Sequence, residues 1–240
     1  MKKAFTLVEL VFVVVVIGIL AFALWPTKQP TQALEAARQI VAHIRYTQHL
    51  ALNDDKFATH TDTGGTDSIA IDWYKRLWRI TFSNLTADKD CKIGGWRYAV
   101  YQNIAGDLLS DKGQPNGTIE AARNPAQAGK VLSACYSGLS TNTSDELNLS
   151  QTYKIENIDF SGFGTQGIIF DELGRAYPSG DFSQAYNNGK KFKLGDNNSY
   201  GRITLSAKDG SVAKILVFAE TGYACVENVD LGCEAPATNP

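Results

Sequence analysis

The sequence lacks the short motifs that mark common enzyme active sites. It has no G-x-S-x-G, no H-E-x-x-H and no glycine-rich phosphate-binding loop. Asp171 and Glu172 are adjacent carboxylates, but neighbouring residues of a strand point to opposite faces, so we do not expect an acid–base pair. We therefore predict that the chain is not an enzyme and needs no cofactor.

The chain also has little excess charge of either sign. Its 23 Lys and Arg residues stand against 25 Asp and Glu residues, a formal net charge of -2. DNA binding requires clustered basic residues that displace counterions from phosphates. Two clusters are candidates: Lys75, Arg76 and Arg79 on a predicted strand, and Lys190, Lys191 and Lys193. Since residues 220–240 contain acids and no Lys or Arg, nucleic acid is the less favoured partner.

The three histidines do not predict a metal site. His43 and His49 are six residues apart and so do not share the i,i+4 face of a helix that a ligand pair needs, and His60 lies beyond them. We expect all three on the surface. The segment Asp111–Glu120 lacks the alternation of an EF-hand loop, so calcium is not expected either.

Only four cysteines are present, and no two have C-x-x-C spacing, which argues against a zinc or thioredoxin-like site. They are Cys91, Cys135, Cys225 and Cys233. An even number favours disulfides in an oxidising compartment, with three connectivities open to four thiols. We favour Cys225 with Cys233, which closes a short loop, and this leaves Cys91 with Cys135.

One long apolar run is present near the N-terminus. Residues 5–25 contain only two polar or charged residues, Thr6 and Glu9. A helix of this length measures about 30 Å, the thickness of the hydrocarbon core of a bilayer. Lys2 and Lys3 precede the run, so the N-terminus is predicted to stay cytoplasmic and the chain after Pro26 to be exported.

Glu9 requires an explanation, because a charged residue at a helix centre in a membrane costs roughly 2.5–3.5 kcal/mol. A secretory signal, cut after Ala23, would have a shorter apolar run. A plain signal anchor tolerates Glu9 only because it lies near the helix end. A cut between Ala4 and Phe5 would instead create an α-amino group four residues before Glu9, and the two charges could pair within or between chains.

The residues Lys-Lys-Ala, then Phe5-Thr6-Leu7-Val8-Glu9-Leu10 and the apolar run, resemble the leader of type IV prepilins and type II secretion pseudopilins. The resemblance implies cleavage after Ala4 by a prepilin peptidase, N-methylation of Phe5, and matching of each incoming subunit through Glu9. The family usually has Gly where this chain has Ala4. It also implies other pilin or pseudopilin subunits and an inner-membrane assembly platform as partners, with a single-pass inner-membrane anchor and a periplasmic C-terminal domain.

The rest of the pattern predicts an α+β fold. Beyond Pro26 a helical pattern runs from Thr31 to about Asn53, and two sets of side chains are assigned to its faces. The buried stripe is Leu34, Ala37, Val41, Ile44 and Ala51 with Ile40 beside it, and the solvent-facing residues are Glu35, Arg38, Gln39 and Arg45. We divide the chain into a leader (1–4), a transmembrane and assembly helix (5–25), an amphipathic helix continuing it (26–53) and a periplasmic β-rich domain (54–240).

Strands are expected at seven places after residue 54. They are Ile71–Phe82, Trp96–Tyr101, Lys154–Phe160, Gly167–Phe170, Lys191–Leu194, Arg202–Ala207 and Val212–Phe218. Lys208-Asp-Gly210 should join the last two as a tight hairpin, and residues 106–149 are predicted to be loops with short elements. Trp73, Trp78 and Trp96 are expected in the core or half-buried. The prediction is a long N-terminal helix, half in the membrane and half amphipathic, packed on an antiparallel two-sheet β domain, as in pilins.

A second resemblance concerns the C-terminal third. Ile168-Ile-Phe-Asp-Glu-Leu-Gly174-Arg-Ala, then Gly201-Arg-Ile-Thr-Leu-Ser206 and Asp209-Gly210-Ser-Val, resembles the H-type minor pseudopilins and the T-type fimbrial minor pilins. This implies a minor pseudopilin of a type II secretion system or related type IV filament, placed near the tip or in the priming complex. Some T-type relatives are DNA receptors, so the alternative is a minor pilin acting in DNA uptake or adhesion.

Overall fold

The structure is a computed structural model, and it describes residues 6–23, 31–54, 77–87, 94–102, 121–134, 142–162, 166–179 and 200–235. Several predicted features lie outside these residues. They are Ala4, Phe5, Cys91, Cys135, His60, Trp73, Lys75, Arg76, the lysines at 190, 191 and 193, the strand at 191–194 and the segment 111–120. The chain divides into two compact units, Met1–Thr31 and Gln32–Pro240.

The first unit contains helix α1, Leu7–Ala23. Thr6 is its N-cap, because its backbone carbonyl accepts from Leu10 N at 3.2 Å and its Oγ1 accepts from Glu9 N at 3.3 Å. Within the described residues, no helix combines the length and apolarity needed to cross a membrane.

The second unit begins with helix α2, Gln32–Leu52. Its buried face contains most of the predicted stripe, and the predicted residues Glu35, Arg38 and Arg45 are exposed. Leu34 is only partly buried, and the small residues Ala33 and Ala36 are fully buried in its place. Small side chains let the helix backbone approach the sheets closely, and the buried stripe therefore begins one residue earlier than predicted.

Two antiparallel four-stranded sheets complete the second unit, which confirms the predicted α+β class and is consistent with a pilin-like fold. The first has the order β2-β1-β4-β5, with β1 Trp78–Leu85, β2 Gly95–Gln102, β4 Gly167–Phe170 and β5 Ala176–Pro178. The second has the order β3-β6-β7-β8, with β3 Ile155–Ser161, β6 Tyr200–Ala207, β7 Val212–Phe218 and β8 Ala224–Val226. A 3-10 helix at Asp145–Leu147 and a short helix α3 at Leu149–Thr152 precede β3.

The core lies where α2 packs against both sheets. Ile40 and Ile44 of α2, Phe82 of β1, Tyr98 of β2 and Ile215 of β7 are all buried in one cluster. Trp96 is buried and Trp78 half-buried, as predicted. Residues 121–134, predicted to be loop, cover the outer edge of β2 through hydrogen bonds from Val100 N to Leu132 O and from Ala122 N to Val100 O.

The β6–β7 hairpin fixes the N-terminus of α2. Its turn contains Gly210 at a φ of 80°, a conformation that favours glycine. Ser211 Oγ accepts from Ala33 N at 3.2 Å, so a residue far away in sequence caps the helix. Asp209 Oδ1 accepts from Ser211 N at 2.9 Å, and hydrogen bonds from Ser211 lower the pKa of Asp209. The hairpin therefore sets where α2 begins on the sheet.

Candidate functional site

Helix α1 presents a surface that is apolar all round. Every residue from Thr6 to Leu20 is exposed, and the large apolar side chains among them are 37–78 % exposed. Glu9 is the only charged residue of the helix. A helix that is hydrophobic on all faces is stable only when something apolar surrounds it, such as lipid or other helices. The first candidate site is thus a helix surface that requires lipid or other helices around it.

The local structure gives Glu9 a second role. Thr6-Leu-Val-Glu9 has the spacing of a capping box, with Thr6 at the N-cap and Glu9 at the third helical position. A carboxylate in the first turn is also favoured by the helix dipole. The T-x-x-E spacing is present in the sequence, but Glu9 was predicted only to pair with the α-amino group that a cut before Phe5 would create. The amine, at Phe5, lies outside the described residues.

The second unit carries a second exposed apolar surface, which we call the apolar arc. It consists of Leu52, Leu173, Tyr223, Val229 and Leu231, which are 44–103 % exposed. The arc joins the end of α2, the β4–β5 turn, the β7–β8 turn and the loop after β8. Gln48 binds two of these segments together, because its Nε2 donates to Gly174 O at 2.8 Å and to Thr221 O at 2.7 Å.

A disulfide between Cys225 and Cys233 closes the loop after β8. Both cysteines are buried against Leu216, so the loop is held on the outer face of the second sheet. Within the loop, Asp230 Oδ2 accepts a hydrogen bond from Val226 N at 2.8 Å, which restricts the loop backbone. The loop therefore presents its apolar residues to solvent from a fixed backbone.

Arg45 of α2 links the helix to this loop. Its Nε donates to Ala224 O at 3.0 Å, its guanidinium lies 5.1 Å from the ring centroid of Tyr223, and its Nη2 is 4.0 Å from Asp230 Oδ2. The ion pair is half-exposed and contributes little by itself. Three exposed acids lie on the same turns and loop as the arc: Glu172, Glu220 and Glu234. Charged groups of both signs therefore lie beside the arc: the guanidinium of Arg45 and these three carboxylates.

A polar cluster lies between α2, β2 and residues 145–153. Gln39 Nε2 donates to the Tyr98 hydroxyl at 2.9 Å and to Glu146 O at 3.0 Å, and Tyr153 donates to Gln39 Oε1. His43 Nδ1 is 2.7 Å from the Tyr98 hydroxyl. The predictions of a solvent-facing Gln39 and a surface His43 are therefore wrong, because residues 145–153 fold against this face of α2.

Burial lowers the pKa of His43 below its usual 6.5, while the carboxylate of Glu146 opposes that shift. Burial also raises the pKa of Tyr98, so its hydroxyl keeps its proton. His49 is exposed, as predicted.

Asp171 and Glu172 do not form a catalytic pair. The carboxylate of Asp171 is buried and accepts from Leu173 N, Arg175 N, Arg175 Nε and Tyr177 Oη at 2.7–3.0 Å, whereas Glu172 is exposed. Asp171 thus holds the β4–β5 turn. Among the residues that the structure describes, no three His, Cys, Asp or Glu side chains come together as metal ligands.

Of the predicted basic cluster Lys75, Arg76 and Arg79, the structure describes only Arg79, on β1. Arg79 is 1 % exposed and its guanidinium lies 5.6 Å from the ring centroid of Tyr101. A buried side chain cannot contact phosphates, so that cluster loses one of its three members. Alternation places Arg79 on the face of β1 opposite Ile80 and Phe82, but that face is covered too, since its sheet neighbours Tyr101 and Ile169 are also buried.

Comparison with known proteins identifies the N-terminus. The model of the prokaryotic N-terminal methylation motif matches residues 1–25, the signal of type IV pilins and pseudopilins. Proteins with this motif are structural subunits of the bacterial envelope that have an N-terminal anchor, are processed by prepilin peptidase and assemble with other pilin subunits. No curated protein and no solved structure matches the chain.

Proposed function

We propose that the chain is a minor pseudopilin of a type II secretion system or of a related type IV filament, assembling through α1. The observation that carries this proposal is the methylation motif on residues 1–25 together with a helix that is apolar and exposed on every face. The likeness of the C-terminal third to H-type and T-type minor subunits supports the subtype.

In this proposal the chain is cut between Ala4 and Phe5, and Phe5 is N-methylated. The carboxylate of Glu9 then pairs with the α-amino group of a neighbouring subunit. Residues 5–25 anchor the chain in the inner membrane, where the prepilin peptidase and the assembly platform act on it, and the domain from residue 54 lies in the periplasm. The absence of catalysis by this chain is part of the same proposal, since other proteins carry out the cleavage and methylation and the chain itself only associates.

The second unit contributes recognition. Large exposed apolar patches on a soluble domain commonly mark protein contacts, and the apolar arc has its backbone fixed by a disulfide and by Arg45. We propose that the arc contacts a neighbouring subunit of the filament. The alternative, a minor pilin that acts in DNA uptake or adhesion, is disfavoured for DNA by the three exposed acids on the turns and loop of the arc and by the burial of Arg79.

Mass spectrometry of the protein from its host membrane tests the processing step. The expected mature chain begins at methylated Phe5, and a chain starting at Met1 or after Ala23 would contradict the proposal. A second measurement follows incorporation into sheared filaments. Glu9→Gln is expected to abolish incorporation, because it removes the charge that pairs with the amine. Thr6→Ser keeps both the charge and the capping hydroxyl, and is the matched control that should incorporate normally.

A further inference from the structure

The hydrogen bonds of the cluster around Tyr98 fix where its protons lie. Glu146 O is a carbonyl and can only accept, so the nitrogen of the Gln39 amide must face it. The same nitrogen donates to the Tyr98 hydroxyl, whose oxygen is therefore an acceptor. The amide oxygen of Gln39 accepts from Tyr153 and cannot serve Tyr98. The hydroxyl proton of Tyr98 is thus left for His43.

His43 Nδ1 lies 2.7 Å from the Tyr98 oxygen and must accept this proton. The imidazole is then neutral, with its own proton on Nε2. If Nδ1 took up a proton from water, two donors would face each other at this distance. Tyr98 is 1 % exposed, so its hydroxyl proton would be left buried without an acceptor.

We propose that His43 and Tyr98 form an acid-sensitive clamp between α2 and residues 145–153. Neutral His43 holds the clamp closed. Protonation of Nδ1 breaks its hydrogen bond to Tyr98, and the half-buried imidazolium turns toward solvent. Gln39 shares the Tyr98 hydroxyl and also holds Glu146 O and Tyr153, so loss of the clamp loosens residues 145–153 from the helix.

The charged and titratable groups around His43 determine the pH at which the clamp opens. Tyr98 faces it from β2 and Glu146 from the 3-10 helix, and Tyr153 at the end of α3 joins the same cluster through Gln39. On α2 itself, Thr47 Oγ1 donates to the backbone carbonyl of His43 at 2.7 Å and contributes no charge. Glu35 acts on Tyr153 rather than on the imidazole.

Glu146 is the only one of these groups whose charge favours protonated His43, and Asn124 Nδ2 holds its Oε1 at 2.8 Å. Burial outweighs that charge, so the clamp opens on the acid side of the usual pKa of histidine, 6.5. This inference concerns the second unit alone and does not depend on the proposed function.

Hydrogen exchange of the full chain in detergent micelles tests the clamp. Amide exchange of residues 145–153 is compared at pH 7.5 and at a pH about two units lower, after correction for intrinsic rates. We expect about tenfold faster exchange on the acid side, the effect of one lost hydrogen bond. His43→Gln keeps an acceptor oxygen that does not titrate, so its exchange should not change with pH. His49→Gln, on the exposed face of the same helix, should respond like the wild type.

Equal acid responses in His43→Gln and the wild type would overturn the proposal, as would a wild type without a response. Glu146→Gln provides an independent check of the pH at which the clamp opens, because glutamine has nearly the same shape as glutamate and keeps the packing. It removes the charge that favours the imidazolium, so the midpoint of opening should move to lower pH. The NMR signal of the His43 ring follows the same titration, and a midpoint that moved to higher pH would also overturn the clamp.

Discussion

Removal of the disulfide after β8 should weaken the second unit by a predictable amount. Cys225 and Cys233 are separated by eight positions, and both side chains are almost fully buried. The chain-entropy relation for a loop of this size gives about 2.5 kcal/mol, or roughly 70-fold in the unfolding equilibrium. Cys225→Ala with Cys233→Ala is therefore expected to lower the free energy of unfolding by about that amount, because the unfolded chain regains the freedom of the loop.

Urea unfolding of the full chain in detergent, followed by tryptophan fluorescence, measures this change. Trp96 is buried near Phe160, with ring centroids 6.4 Å apart, and reports loss of the core. Leu231→Ser is the matched control, since Leu231 is in the same loop and fully exposed; it should cost under about 0.5 kcal/mol. A loss below about 0.5 kcal/mol in the double alanine variant, or an equal loss in Leu231→Ser, would refute the assignment of the loop as a covalently held scaffold.

Three further predictions concern contacts that sequence patterns do not show. Ser211→Ala should lower the free energy of unfolding by about 1 kcal/mol in the same urea assay, because it removes the cap of α2. Gly222→Ala should lower the free energy of unfolding by more than about 2 kcal/mol, since the added Cβ would lie 2.0 Å from the backbone oxygen of Gly174. Gly210→Ala is the control: its Cβ would meet open space, so only backbone strain, about 1 kcal/mol, is expected. The folded state lowers the pKa of His43, so the unfolded chain takes up the proton first; stability should be complete above about pH 6.5 and fall below it, and the fall should be smaller in His43→Gln.

Elements with a strong local pattern were predicted from the sequence. Strand β7 occupies the predicted Val212–Phe218 and β4 the predicted Gly167–Phe170, because both are apolar runs between turn residues. Strands β5 and β8 were missed. Each has three residues, too few for alternation to show, and β8 is extended only because its residues pair with β7.

The sites were harder to predict because they depend on contacts between distant segments. The apolar arc combines the end of α2 with turns more than a hundred residues later in the chain. Nothing local to Leu52 or Leu231 indicates that they share a surface. Gln39 and His43 are surface residues when α2 is considered alone. Only the packing of β2 and of residues 145–153 against this face brings them to Tyr98, Glu146 and Tyr153.

Glu9 has a local role at the start of α1 and, in the proposed function, an intermolecular one. At the third position of α1 it has the place of the acidic residue of a capping box, with its backbone N–H bonded to Thr6 Oγ1, and glutamine suits that position as glutamate does. Pairing with an ammonium group requires the negative charge, which glutamine lacks. Glu9→Gln therefore leaves the start of the helix largely intact while removing the charge. If Glu9→Gln reduces filament incorporation but keeps normal helix content, the carboxylate acts in assembly. If incorporation and helix content are both reduced, the carboxylate acts by stabilising the start of α1.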